Sequence, residues 1–491
     1  MDSIVNKINN QWGLNPYYEI WNEPENYYWQ GTTAQYHTFF KNTFKAIKLN
    51  HPTALVGGPV VASFSSCFNL SLPKGHLTNS QYNQTIIANV IDSCVSWNIK
   101  LDFISWHKFD PLLQSVNEEI LYLNQKLLTS GHGIVPYIVS EHNQTSSLRD
   151  TYFSNASVTS NILNIEKMGV LAHSVAAWQD FDSSNTEFHK DYGVLSWNSL
   201  HKPVWKSLQL LNRLKGNKLK NYCSDSLNIS VAASYNNDTV RTFISNYQLP
   251  AFAETKSYLY YLKNFNSTDF AAEGLASDNH LDSIFRGLIV LPSTSLLSQS
   301  INQAIPFYNR ADSMFKFGRT INLHFKGLTG IHSANLYMVD SIQNNIIYKY
   351  DSLITNGYTR NSAVTFLYPN NTISFKTITI SDSIYSFHLK SNSVALIEAL
   401  IQNPQSIYEN LSSQHNFKIY PNPSKEKIFF EVEKGQSYLH TFQIFNTLGE
   451  CVREAQLVNR SELDVSNLSE GLYIIQVKEY PSQKQKFIKV N

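Results

Sequence analysis

The feature that most constrains this chain is an alternation running through its first 216 residues. Apolar, near-continuous runs of strand length recur at Tyr17 to Trp21, Ala54 to Gly58, Leu101 to His107, Val135 to Glu141 and Ser174 to Trp178. Between them, apolar residues fall at helical spacing: Tyr36, Phe39, Phe40, Phe44 and Ile47, then Ile86, Ile87, Val90, Ile91 and Cys94, then Val116, Ile120, Leu123 and Leu127. Val158, Ile162, Ile165 and Met168 mark another helix, and a last one follows Pro203 with Trp205, Leu208 and Leu211. Asp2 to Trp12 reads as a short helix with Ile4, Val5 and Ile8 on one face. Strands without polar alternation, separated by amphipathic helices, predict parallel βα units with both sheet faces covered. Polar residues recur at the strand ends (Glu23, His107, Glu141, Gln179). That is the plan of a (β/α)8 barrel, whose chemistry sits at the carboxyl ends of its strands. Only five strands can be counted, so the expectation is a partial TIM barrel over residues 1–216.

From about Asn217 the period changes to alternation, as in Leu227 to Val231 and Val240 to Ile244, and it returns at Ile321 to Phe325, Ala334 to Val339 and Ser393 to Leu400. Residues 217–401 are therefore expected to be an antiparallel β-sandwich with long loops. The polar stretch 402–416 reads as a linker, and residues 417–491 as a compact module of short strands. The predicted class is α/β plus all-β.

Composition narrows the function classes. A net charge of +1 over 491 residues provides no electrostatic footprint for nucleic acid. No run approaches the roughly 18 apolar residues of a membrane span. Cys67, Cys94, Cys223 and Cys451 show no metal-ligand spacing. Cys67 and Cys94 could pair in an exported protein or stand as free buried thiols. No cofactor and no metal are expected.

The chemistry rests on two glutamates. In Trp21-Asn22-Glu23-Pro24 the proline cannot donate to a sheet ladder and pushes the residue before it out of the α region, so the strand ends at an acid. Glu141 ends another strand in the same way. Two carboxyl groups facing each other over a barrel mouth supply what glycosidic cleavage needs: one protonates the leaving oxygen, the other attacks the anomeric carbon. No phosphate-binding glycine loop or nucleophile-elbow motif competes with them.

These residues resemble the clan A glycoside hydrolases and, within them, family 39, the β-xylosidase and α-L-iduronidase family. The resemblance is carried by Tyr18 to Pro24, Val56-Gly57-Gly58-Pro59, Asp102 to His107, Ser140-Glu141-His142-Asn143, and Tyr192-Gly193-Val194-Leu195 ahead of Lys202-Pro203. It implies a retaining enzyme acting on a β-xyloside or related oligo- or polysaccharide. Glu23 would be the acid/base, Glu141 the nucleophile and Asn22 a donor to the sugar 2-hydroxyl, with His107 and Trp178 lining the subsite. His142 stands where the family's pattern leads one to expect an aromatic residue. The tail has its own resemblance. Ile419 to Ser424, Phe442 to Gly449 and Gly471 to Ile475 look like the sorting domain of the bacterial type IX secretion system. This implies a secreted or cell-surface protein of a Bacteroidetes-like organism, with the type IX machinery as partner.

In clan A the two carboxylates close the fourth and seventh strands, whereas Glu23 closes the first strand here. No basic segment followed by an apolar stretch occurs at Met1 to Asn6, so no signal peptide is read there. The expectation is that an export signal and three βα units are absent from this sequence, leaving strands four to eight. Two alternatives to a β-xylosidase-like enzyme stand beside it. One is a non-catalytic surface protein that binds carbohydrate; the other is a clan A enzyme of cellulase or mannanase type.

Overall fold

The computed structural model describes residues 2–490 apart from 73–75, 145–147, 182–183, 237, 327–330, 332, 371, 382, 402–416, 433–439, 447–449, 458–461 and 479. The linker expected at 402–416 thus lies outside the described residues. Two compact units divide the chain: Met1–His324 with Ile331–Leu400, and Phe325–Gly330 with Ile401–Asn491.

In the first unit, β1 (Tyr17–Glu19), β2 (Leu55–Val61), β3 (Phe103–Lys108), β4 (Tyr137–His142) and β5 (Ala172–Val175) form one sheet in that order. Every pairing is parallel. The central strand β3 is buried along its whole length, which explains its lack of polar alternation. Gly57 has a positional reason: a Cβ there would lie 2.3 Å from the Phe103 carbonyl oxygen, so β2 and β3 could not approach with a side chain present.

The helices between the strands bury the faces their spacing predicts. Thr33–Asn50 opens with a capping box between Thr32 and Gln35 and buries Tyr36, Phe40, Phe44 and Ile47. Ile86–Ser96 buries Ile86, Ile87, Val90, Ile91 and Cys94, and Ser115–Thr129 buries Val116, Ile120, Leu123 and Leu127. They share one core with Val56, Ile104, Trp106 and Val139 of the sheet. The amino-terminal helix departs from expectation. An α-helix over Asp2–Asn6 passes into a π-turn over Lys7–Gln11, and only Val5 of the three predicted residues is buried; Ile4 is exposed.

Phe153–Lys167 is buried on both sides, from Ser154 through Ile162. Val158 and Ile162 pack with Val194 and Val204. The opposite, polar face meets a second sheet, where Thr159 and Ser160 hydrogen-bond the Ser245 hydroxyl and Asn155 donates to the Val339 carbonyl. That sheet is antiparallel throughout and joins β6 (Asn217–Leu219), β7 (Ile229–Asn236), β8 (Thr239–Asn246), β10 (Ser333–Val339), β11 (Phe375–Thr379) and β13 (Ser393–Leu400) in the order β11-β10-β13-β8-β7-β6. β9 (Arg319–His324) and β12 (Ile384–Leu389) form a separate antiparallel pair.

The long loops expected in this region are helices instead. Between β8 and β9 run Ala251–Tyr261, Ser267–Ala272, Asp278–Phe285 and Leu296–Phe317, and they close a core of their own around Leu259, Phe270, Phe285 and Ile301. Ile346–Thr355 and Arg360–Leu367 lie between β10 and β11.

The second unit holds β14 (Phe417–Tyr420), β15 (Lys427–Val432), β16 (His440–Phe445), β17 (Cys451–Leu457), β18 (Glu462–Asp464), β19 (Gly471–Val477) and β20 (Tyr480–Lys489). They form a three-stranded sheet, β14-β15-β18, and a four-stranded one, β17-β16-β19-β20. Ile428, Phe430, Phe442, Ile475 and Phe487 belong to its core. All four cysteines are free thiols, Cys94 buried and Cys67 partly so. Among the described residues no helix is long and apolar enough to cross a membrane.

Candidate active site

Glu23 lies just beyond β1 rather than in it. Ladder pairing with β2 ends at Glu19, but the chain keeps to β2 through Ile20 N–H to the Gly57 carbonyl (3.1 Å) and Glu23 N–H to the Val60 carbonyl (2.8 Å). Three non-glycine residues here hold left-handed backbone: Trp21 (φ 72°), Glu23 (φ 47°) and Val60 (φ 57°). For a β-branched valine this conformation is costly, and such strain concentrates at sites that must aim a group. On the neighbouring strands, the β3–β4 register shifts between Trp106 and His107 and brings His107 opposite Glu141. A bulge of this kind redirects side chains at a strand end.

The three side chains meet. His107 is buried, and its Nδ1 is 2.9 Å from Glu23 Oε1 and 3.8 Å from Glu141 Oε2. One ligating atom from each residue lies within 4.8 Å of the others. Asn26 Nδ2 donates to Glu23 Oε2 at 2.8 Å. Glu23 is 13% exposed and Glu141 41%. His107 and Asn26 hold the Glu23 carboxyl below its ordinary pKa, against the effect of burial, while burial pushes Glu141 up. The order is the reverse of that needed for a protonated Glu23 beside an ionised Glu141. Its cause is local: the imidazole binds the nearer carboxylate. The same three residues are spaced to hold a metal ion, but the 2.9 Å His107–Glu23 contact already pairs two of the three donors with each other.

Both glutamates line a cleft of about 1160 Å³. Asn22 lines it too, as do Asn26, Tyr28, Phe109, Arg149 and Tyr192. Arg149 is buried, its guanidinium carbon 3.4 Å from the centre of the Tyr192 ring and its Nε donating to the Gln144 carbonyl. Trp178 is not among the lining residues: it is 65% exposed and packs edge-on against Trp205. Phe181 and Tyr192, from the segment that follows β5, stand in the wall instead. His142 faces away from the cleft, as successive strand residues must. It is buried with Nε2 3.2 Å from His173 Nδ1, and burial pushes its pKa down to about 3. Sequence reasoning overlooked Asn26, which sits in a turn one helical step after Glu23, and the far wall of the cleft, which comes from the helices after β8.

Two family models match the chain: Glycosyl hydrolases family 39 over residues 5–246, and the secretion system C-terminal sorting domain over residues 418–491. Residues 5–246, just under half of the chain, are thus similar to glycosyl hydrolase family 39. The β-xylosidase of Caldicellulosiruptor saccharolyticus is 24% identical over 258 residues, which cover 48% of this chain and 49% of that protein. The chain thus spans about half the length of that curated relative. Among solved structures, a family 39 β-xylosidase from Caulobacter crescentus superposes with a TM-score of 0.53 at 16% identity, covering 81% of this chain and 70% of the other. A family 39 enzyme from Xanthomonas axonopodis pv. citri does so with 0.51 at 15%, covering 82% and 72%. These likenesses are of fold. The carboxy-terminal module is a type IX sorting domain, which directs its carrier to the cell surface or the medium.

Proposed function

We propose that this chain is a family 39 retaining glycosidase of β-xylosidase type, working by double displacement with Glu23 as acid/base and Glu141 as nucleophile. The observation that carries the reading is the carboxylate pair flanking His107, with one oxygen of each no more than 4.8 Å from the other. Retaining enzymes keep their carboxyl groups about 5–5.5 Å apart, whereas inverting ones need about 6.5–9.5 Å to admit a water. In the first step Glu23 gives its proton to the glycosidic oxygen while a Glu141 oxygen bonds the anomeric carbon, and the leaving alcohol departs. In the second, Glu23 takes a proton from water, whose oxygen displaces Glu141 and releases the sugar with its original configuration. Asn22 donates to the 2-hydroxyl. The substrate is an oligo- or polysaccharide with a β-xyloside or related terminus.

A second reading exchanges the two roles, and the pKa directions favour it. We keep the first because one hydrogen bond sets the order. His107 Nδ1 lies 2.9 Å from Glu23 and 3.8 Å from Glu141, so a shift of the ring that moves its bond from Glu23 to Glu141 frees the first to hold a proton and favours ionisation of the second. Within this reading the five parallel strands are the fourth to eighth of a barrel. Residues 1–216 are the catalytic part, 217–401 the accessory part and 417–491 the sorting domain, joined through 402–416. Cellulase- or mannanase-type action and carbohydrate binding without turnover are the competing outcomes.

The experiment is hydrolysis of an aryl β-xyloside followed by proton NMR from the first minutes. Retained β-xylose supports the proposal; the α-anomer refutes it. Turnover of β-glucosides or β-mannosides alone would move the substrate class.

A further inference from the structure

The helices after β8 supply one wall of the cleft that holds the glutamates. Phe252, Lys256 and Tyr260 fall four residues apart on Ala251–Tyr261, so they share one face, and all three line the cleft together with Asp278. Lys256 Nζ is 2.6 Å from Asp278 Oδ1 and 5.7 Å from the centres of both the Phe252 and Tyr260 rings. Both rings and Asp278 thus surround the lysine's ammonium head. The pair is open to the cleft, Lys256 at 24% and Asp278 at 63% exposure. An ammonium has three donors and a carboxylate several acceptor positions, so hydrogen-bonding capacity remains after they pair. This wall is held against the segment between β2 and β3: the His76 ring meets Tyr261 edge-on at 6.1 Å, and Gln81 Nε2 donates to Thr268 Oγ1 at 3.5 Å.

Taking the glycosidase reading as given, we propose that Lys256 and Asp278 form a subsite for a neutral sugar unit remote from the cleaved bond, binding its ring hydroxyls. A volume of about 1160 Å³ exceeds the range of about 300–1,000 Å³ that encloses a drug-sized ligand, whereas the glutamate pair acts at one bond. The occupant is uncharged because the Lys256 ammonium and the Asp278 carboxylate offset each other and leave no net charge for an acidic sugar to pair with. The substrate is accordingly an oligosaccharide rather than a short glycoside.

The test uses the full chain with Glu141→Gln to block turnover, titrated calorimetrically with xylo-oligosaccharides and cello-oligosaccharides of increasing length. Affinity for one series is expected to rise with length. Lys256→Met or Asp278→Asn then removes the gain, weakening the longest sugar about tenfold, which corresponds to about 1.4 kcal/mol, and leaving the shortest unchanged. With Glu141 intact, both variants hydrolyse an aryl β-xyloside at the parent rate. Asp278 is exposed, so Asp278→Asn keeps the fold if Lys256→Met does not. Affinity independent of length, or a gain that survives both variants, overturns the subsite. Length-dependent binding lost in both variants, together with no turnover of any aryl glycoside, upholds the subsite and overturns the enzymatic reading instead.

Discussion

His107→Phe separates the two assignments of the glutamates. The substitution removes the imidazole that lies 2.9 Å from Glu23 and 3.8 Å from Glu141, while leaving an aromatic ring of similar size in a buried position. A hydrogen bond to a charged group is worth about 1.5–3 kcal/mol, or about ten- to a hundredfold in a protonation equilibrium. Asn26 still donates to Glu23 in the variant, and the carboxyl keeps some solvent, so the lower end applies. Glu23 therefore gains proton affinity, and Glu141, farther away and more exposed, gains less. The assay is the pH dependence of kcat/KM on an aryl β-xyloside, whose two limbs report the free enzyme's acid and base as a coupled pair. If Glu23 is the acid, its proton is retained to higher pH and the alkaline limb moves up. If Glu23 is the nucleophile, it must lose that proton, and the acid limb moves up. A profile with both limbs unmoved would show that the His107–Glu23 contact does not set the ionisation, and the electrostatic argument would fail.

Lys202→Met leaves Asp150 and Asp180, both buried against the lysine ammonium, without their cation. A loss of about 3–5 kcal/mol is expected in urea unfolding; a loss below about 1 kcal/mol would mean the carboxyls are solvated. Burial lifts Glu119, which accepts from Trp106 Nε1, to about 8. The folded state therefore holds a proton that the unfolded chain releases near pH 4.3, and Glu119 costs stability as pH rises from there to about 8. Glu119→Gln should flatten that slope in thermal melts between those limits, and an unchanged slope would assign it to other groups. Residues 402–491 fused behind a signal-bearing reporter should carry it to the surface of a type IX-competent host, with retention in the periplasm as the contrary result.

Much of the first unit was legible because each of three helices there buries one face and the central strand of the sheet is buried on both. The apolar stripes of Thr33–Asn50, Ile86–Ser96 and Ser115–Thr129 and the unbroken burial of β3 follow directly from period and strand length. Phe153–Lys167 shows where this fails. Its Ser, Thr and Asn face looks solvent-facing in sequence, yet it is buried because another sheet supplies the hydrogen bonds. The helices after β8 had local signals that alternation in the flanking strands obscured. Capping boxes stand at Asn266/Asp269 and Ser295/Ser298, and Leu297, Ile301, Ala304, Tyr308 and Ala311 are spaced for a helix. Reading them would have revealed a cleft wall. Trp178 was misplaced by the reverse error: a residue at a strand end need not point into the mouth, and here Trp205 takes the ring.

The glutamates themselves were readable, since an acid before proline and an acid at the end of a buried strand are both one-dimensional patterns. What distinguishes them chemically is not one-dimensional. Two identical side chains acquire opposite pKa directions because one imidazole stands nearer to the first, and that distance depends on a register shift between Trp106 and His107 and on left-handed backbone at Glu23. Neither is a propensity that periodicity can report. Each breaks the local rule for its residue type, and such exceptions are tolerated where the surrounding structure enforces them for a purpose. Asn26 follows the same logic: it reaches Glu23 only because the chain turns after Pro24. The identity of the two candidate glutamates is thus carried by composition at strand ends, whereas the difference between their pKa directions is carried by backbone geometry. Substitutions at Val60 or Trp21 should therefore disturb the ionisation order of the pair although Val60 holds Glu23 only through backbone, and a His107→Phe profile reproduced by Val60→Gly would show that backbone geometry transmits it.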